Sequence, residues 1–202
     1  MQDFIMNIMD QYGYFGIFFL IVVENIFPPI PSEVILLFGG ALTNYTRLEV
    51  FEVILYSTLG SLVGAYILYI IGNLLNKDRL KKIVSGKIGK ILKLKIDDID
   101  KADLWFNEKG NLAVFFCRFI PIVRSLISIP AGMSSMPIFK FTIYTIIGTI
   151  IWNTVLVSLG SIMGENWSKI VFIFKDYSIV IKVILISLVI FTIFKIYFKR
   201  KK

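Results

Sequence analysis

Four ionisable side chains stand inside otherwise apolar, proline-broken stretches. Glu24 and Glu33 bracket ENIFPPIPSE, and Arg118 and Arg124 bracket RFIPIVR. On an insertion scale a charge at mid-bilayer costs roughly 2.5–3.5 kcal/mol, so four left alone would cost on the order of 10–14 kcal/mol. Pairing, water or a ligand must offset this. Both acids lie in the first stretch and both arginines in the second, so opposite charges face each other if the two breaks meet. A guanidinium is a planar fork of donors that fits phosphate and keeps its charge. Arg118 and Arg124 are therefore candidate ligands of a phosphate-bearing substrate. Glu24 and Glu33 are candidates for proton coupling and gating, pairing with the arginines in the empty state and taking up protons during turnover. The same charges also suit a static ion-pair lock between two hairpins, and a lock that opens is a gate.

Other chemistry is scarce. The chain has no His and one Cys, Cys117. That removes Ser-His-Asp and Cys-His catalysis, His-ligated or Cys-rich metal sites and an internal disulfide. There is no P-loop and no G-x-G-x-x-G after a strand. No persuasive nucleophile–base pair exists, so the chain reads as a non-enzyme without cofactor or metal.

The elements that position these charges follow from composition. Of 202 residues 56% are apolar and 18% charged, and mean hydropathy is +0.77. Soluble domains run at about 45–50% apolar and about 25% charged. The expectation is an all-α integral membrane protein. A spanning helix needs about 20 apolar residues. The uncharged runs 53–76 and 141–164 meet this, and 177–197 is a third span if Lys182 and Lys195 snorkel to opposite interfaces. The runs 11–23, 34–46, 110–117 and 125–139 are too short to cross. Pro28, Pro29, Pro31 and Pro121 stand at the breaks between them, where helix is disfavoured. Each pair of short arms reads as a re-entrant hairpin, which is tolerated only when buried in protein or lining a cavity.

Hairpin then span occurs twice, over about 11–76 and 105–164. The segment 77–103 carries nine Lys/Arg and five Asp, and the C-terminus ends KRKK. Positive charge marks the cytoplasmic side. Placing 77–104 and the C-terminus there makes the two halves an inverted repeat, an arrangement whose site lies at the midplane. Nucleic-acid binding by the basic loop is set aside, since a basic stretch beside spans reads as a topology signal. Met1–Asp10, with Phe4, Ile5, Ile8 and Met9 on one face, reads as a surface-lying amphipathic helix. With Asp3 and Asp10 before the first apolar run, it is not a signal peptide. Gly-x-x-x-Gly spacing at 60/64 and 160/164 reads as close helix packing. Tyr69 and Asn153 are possible lining residues, with packing or interface anchoring the better reading of Tyr69 and the two readings of Asn153 balanced.

These motifs, ENIFPPIPSE, GSLVGAYILYIIG at 60–72 and FFCRFIPIVRSLISIPAG at 115–132, resemble in that order the DedA family of membrane proteins, also called the SNARE-associated Golgi or VTT-domain family. The resemblance covers about residues 11–164. It implies two facing re-entrant hairpins and lipid translocation or scrambling, and in bacterial members recycling of the polyprenyl phosphate carrier of wall synthesis. Glu24 and Glu33 match the family's two membrane acids, and Arg118 and Arg124 its arginine pair. Ser61 stands where some members carry an acid. Tyr69 and Gly72 keep a Tyr-x-x-Gly element.

The expectation is a multi-pass protein of a bacterial plasma membrane that flips a phosphorylated lipid, undecaprenyl phosphate first, with protons as coupling partners. The alternatives are a proton-coupled transporter of a small soluble ion or drug, a general phospholipid scramblase, and a structural factor. Monomer and homodimer both remain open.

Overall fold

The computed structural model describes residues 2–27, 31–75, 79–81, 85 and 96–166. Pro28, Pro29, most of the basic loop and the expected third span at 177–197 lie outside them. Seven principal helices are described: α1 (Gln2–Ile26), α2 (Ser32–Leu42), α3 (Val50–Leu74), α4 (Ile96–Cys117), α5 (Val123–Leu126), α6 (Ser128–Met133) and α7 (Ile138–Met163). A 3-10 turn, Gly164–Asn166, follows.

Prolines account for three of the helix ends. Pro31 caps α2 in an extended conformation, with Glu33 in the first turn. Pro137 stands in the same position before α7. Pro121 has no N–H to donate to the carbonyl of Cys117 and its ring would clash there, and Cys117 is where α4 stops. The chain then turns tightly. The N–H groups of Arg118, Phe119 and Ile120 bond carbonyls three residues back at 3.1–3.2 Å, and Arg124 N–H bonds Ile120 O at 3.0 Å. Ile122 takes a positive φ of 69°. The break thus satisfies much of its own backbone, as an apolar setting requires.

Only α3 and α7 among the described helices are long and apolar enough to cross a membrane. At 25 and 26 residues they measure roughly 38 Å, against a hydrocarbon core of about 30 Å. They run antiparallel, as two hydrogen bonds show: Asn153 donates to Ser57, and Tyr66 meets Thr142. Their polarity is inside-out relative to a soluble bundle. Leu55, Leu59 and Val63 of α3, and Ile143, Ile147 and Ile151 of α7, face outward. Ser57, Ser61, Thr145, Thr149 and Asn153 are buried between them.

The two halves exchange partners. α1 packs on α3 and α4 on α7, each within its own half. The short arms cross over: α2 packs on α7, and α6 on α3. Each crossing is made at a glycine pair. A Cβ at Gly40 would overlap the carbonyl of Val157, and one at Gly160 that of Leu37. In the other crossing a Cβ at Gly72 would overlap Ile129 O, and one at Gly132 would overlap Tyr69 O.

Several expected boundaries shift. The segment 2–12 is helical, but Met9 is buried in the core beside Ile17 and Val53, so part of its apolar face packs on protein rather than lying outward. The helix bends at Gly13 (φ 53°, ψ −126°), a conformation that glycine adopts readily. α4 begins at Ile96, so the Asp-rich end of the expected loop is already helix. Lys81 Nζ pairs with Asp100 Oδ1 there at 2.8 Å. The expected arm 125–139 is two short helices ending at Met133, because Ser134–Pro137 form the turn into α7.

Gly132→Ala and Gly160→Ala should each destabilise the fold by about 1–3 kcal/mol through backbone overlap. Thermal unfolding in detergent would show both melting below wild type; unchanged melting would mean that the crossings are looser than described.

Candidate functional site

Glu24 stands two residues before α1 stops, and Glu33 lies in the first turn of the second arm. Arg118 follows the last residue of α4, and Arg124 lies in α5. Two of these placements suit the helix dipoles, Glu33 at the N-terminus of α2 and Arg118 at the C-terminus of α4, while Glu24, near the C-terminus of α1, depends on the arginines instead. All four side chains are buried: relative exposure is 2% for Glu24, 4% for Glu33, and 1% for each arginine. They form one group. Glu24 interacts electrostatically with Arg124, Glu33 and Arg118, and Arg118 with Arg124.

Neutral hydroxyls surround the group. Arg118 Nη2 donates to Ser128 Oγ at 3.2 Å and Thr145 Oγ1 at 2.9 Å. Its guanidinium lies 5.8 Å from the Phe141 ring centroid. Its stem runs along Gly148, where a Cβ would stand 3.0 Å from Arg118 Cβ and Cγ. Arg124 Nη1 donates to Ser32 Oγ at 3.4 Å, and Nη2 to Ser61 Oγ at 3.1 Å. Asn25 Nδ2 donates to Glu24 Oε2 at 3.3 Å. Each arginine is thus tied to both halves or to two elements, which fixes its direction.

Some donor capacity is unused. Arg118 Nε and Nη1, and Arg124 Nε, are buried without a hydrogen-bond partner among the described residues. A buried donor left unpaired costs about 1–3 kcal/mol. Buried charged donors with spare hydrogen-bonding capacity are what an oxyanion needs.

The other sequence candidates lie nearby but apart. Tyr69 donates its hydroxyl to Met136 O at 2.6 Å and packs in a tilted ring contact on Phe141 at 4.8 Å, so it holds the wall. Asn153 donates to Ser57 Oγ at 3.1 Å and Thr58 Oγ1 at 3.2 Å, further along the α3–α7 seam. Pro31 and Pro121 stand at the ends of the helices that carry the charges. Ser32, Ser128 and Thr145 were not singled out from the sequence. The available signal was hydroxyl spacing: Thr145, Thr149 and Asn153 recur every four residues inside an apolar run.

The hydrophobic clusters lie on either side of this centre. One gathers Ile17, Ile21, Ile35, Val53, Leu156 and Val157. The other gathers Ala65, Tyr69, Phe106, Ala131, Met136 and Phe141.

The VTT domain family matches residues 30–162. An "Alkaline phosphatase-like protein" of Lactococcus lactis subsp. lactis is 55% identical over 92% of this chain and 86% of its own length. "Undecaprenyl phosphate transporter A" of Staphylococcus aureus is 37% identical over 100% of this chain and 99% of its own. "Protein DedA" of Escherichia coli is 27% identical over 80% of this chain and 78% of its own. No solved structure matches.

Arg124→Gln alone should destabilise by about 3–5 kcal/mol, since it leaves buried acids uncompensated. Combining it with Glu24→Gln should recover about 1 kcal/mol or more of that, a coupling read from a double-mutant cycle of unfolding in SDS titrations. Strict additivity would show that the two do not interact.

Proposed function

The chain belongs to the VTT-domain family, the DedA family of membrane proteins, and from that premise we propose that it moves a phosphorylated lipid across a bacterial plasma membrane. The lipid is undecaprenyl phosphate on this reading. The observation that carries it is the buried pair of arginines with unpaired donors, set between two apolar clusters in a helix bundle whose outer face is apolar. The substrate class finds support in the full-length likeness to a protein named undecaprenyl phosphate transporter A.

In this mechanism the breaks after α1 and α4 are the tips of two re-entrant hairpins that meet near the midplane. Arg118 and Arg124 take the phosphate as it arrives. Glu24 and Glu33, which neutralise the arginines in the empty site, accept protons or move aside. The polyprenyl tail stays in lipid while the headgroup passes between the hairpins. Residues 77–104 and the C-terminus face the cytoplasm, as their basic charge implies.

The phosphatase-like name of one relative invites hydrolysis as a second reading. The chain has no His, and among the described residues no three His, Cys, Asp or Glu side chains gather as a metal site would require. Movement without bond cleavage fits these residues better.

The test is translocation in proteoliposomes, with labelled polyprenyl phosphate beside labelled phosphatidylethanolamine, with and without a pH gradient. Polyprenyl phosphate should cross faster, without release of inorganic phosphate. Arg118→Lys and Arg124→Lys should each slow it about tenfold or more, the loss of roughly one charge-assisted hydrogen bond that a guanidinium makes and an ammonium cannot. Equal movement of both lipids would indicate a general scramblase, and wild-type rates in both lysine variants would end the phosphate-ligand assignment.

A further inference from the structure

One polar feature is left over by the charged centre. On α7, Thr145, Thr149 and Asn153 succeed one another at intervals of four residues, so they share a face and span about 12 Å. On α3, Ser61, Ser57 and Thr58 face them. Both ends of this file are fastened. Thr145 and Ser61 accept from Arg118 and Arg124, and Asn153 donates to Ser57 and Thr58. Between and at these ends polar capacity is left over: Thr149 Oγ1 in the middle and Asn153 Oδ1 at the far end are buried without a hydrogen-bond partner among the described residues. Thr149 is 2% exposed and Asn153 0%.

Buried polar atoms without partners are ordinarily satisfied by water. The file runs one way only. Towards the end of α3 the centre is walled by Tyr69 and Phe141. Towards the start of α3 it continues as hydroxyls and an amide, and stops against Val53, Leu156 and Val157. An apolar constriction at the end of a polar file is the form of a gate that closes by excluding water.

We propose that the α3–α7 seam from Arg124 to Asn153 is the route by which water reaches the charged centre, entering at the face where α3 begins and shut in this conformation by Val53, Leu156 and Val157. Its use in transport rests on the function proposed above; its existence does not.

Cysteine accessibility in membranes tests this. Thr149→Cys is nearly isosteric, and Asn153→Cys gives a second position. Both are made in a Cys117→Ala background. A charged, membrane-impermeant methanethiosulfonate reacts with the thiolate, which forms in water and not in lipid. Both positions should react about tenfold faster than Val155→Cys, which lies on the outer face of α7, about 3 Å along the axis from Asn153 and about 9 Å from Thr149. They should react from the face that labels Arg47→Cys, not from the one that labels Asn73→Cys, and faster still when Val157→Ala is added. Rates no higher than at Val155→Cys, with or without Val157→Ala, or labelling from the opposite face, would overturn the route. A seam that labels in a protein that moves no polyprenyl phosphate would instead keep the route and remove the proposed function.

Discussion

Two acids and two arginines share one buried centre, and the rest of the fold answers to that. Neither sign can be there alone: an uncompensated buried charge is among the most destabilising features a protein can carry. The charges must therefore come from different parts of the chain and arrive together. Helix breaks deliver them. Glu33 starts a helix and Arg118 follows the end of one, so free amide and carbonyl groups stand beside charges of the sign they favour. Ser32, Ser61, Ser128 and Thr145 then supply acceptors for the guanidinium donors without adding charge.

The exchange of partners between halves gives this centre its mechanical setting. α2 leans on the long helix of the other half, and α6 does the reverse, each through glycines that bring backbone against backbone. Neither short arm can swing with its own long helix alone. A shift of one half therefore pulls on the other half's arm, so α2, which carries Glu33, is coupled to α7, and α6 is coupled to α3. The apolar clusters sit at opposite ends of the α3–α7 pair. On the proposed function, parting one while keeping the other closed would expose the centre to one face at a time, as alternating access requires.

What was legible in the sequence was whatever depends on counting. The two long helices follow from run length, since 24 uncharged residues have few other uses. The four charges stood out because each interrupts an apolar run at a proline. The limits of the short arms were less legible. The run 125–139 contains no charge to mark where the chain turns, and its end at Met133 is set by Ser134–Pro137 together with the contact of Gly132 on Tyr69 O. The exact start of α4 was hidden as well, because an Asp-rich opening reads as loop until the helix N-terminus it favours is seen. The hydroxyl shell could not be singled out from spacing alone. A Thr in an apolar run bonds its own backbone as readily as a neighbour, as Thr142 does with Ile138 O, and only the arrival of Arg118 distinguishes Thr145.

Charge arithmetic links the centre to the proposed cargo. With both acids and both arginines ionised, the empty group is neutral. A phosphate monoester brings about 1.5–2 negative charges near neutral pH. Placed beside Arg118 and Arg124 with Glu24 and Glu33 still ionised and in place, it would leave an excess of negative charge in a low-dielectric cavity. Two remedies exist: the acids bind protons, or they withdraw with the first hairpin and let the phosphate replace them at the arginines. The first makes headgroup binding and proton uptake one event, and the second makes headgroup binding and hairpin separation one event. Either way a ligand without negative charge gains nothing by displacing the acids. On the proposed function, the same four residues that neutralise one another in the empty site would therefore select for an anionic headgroup.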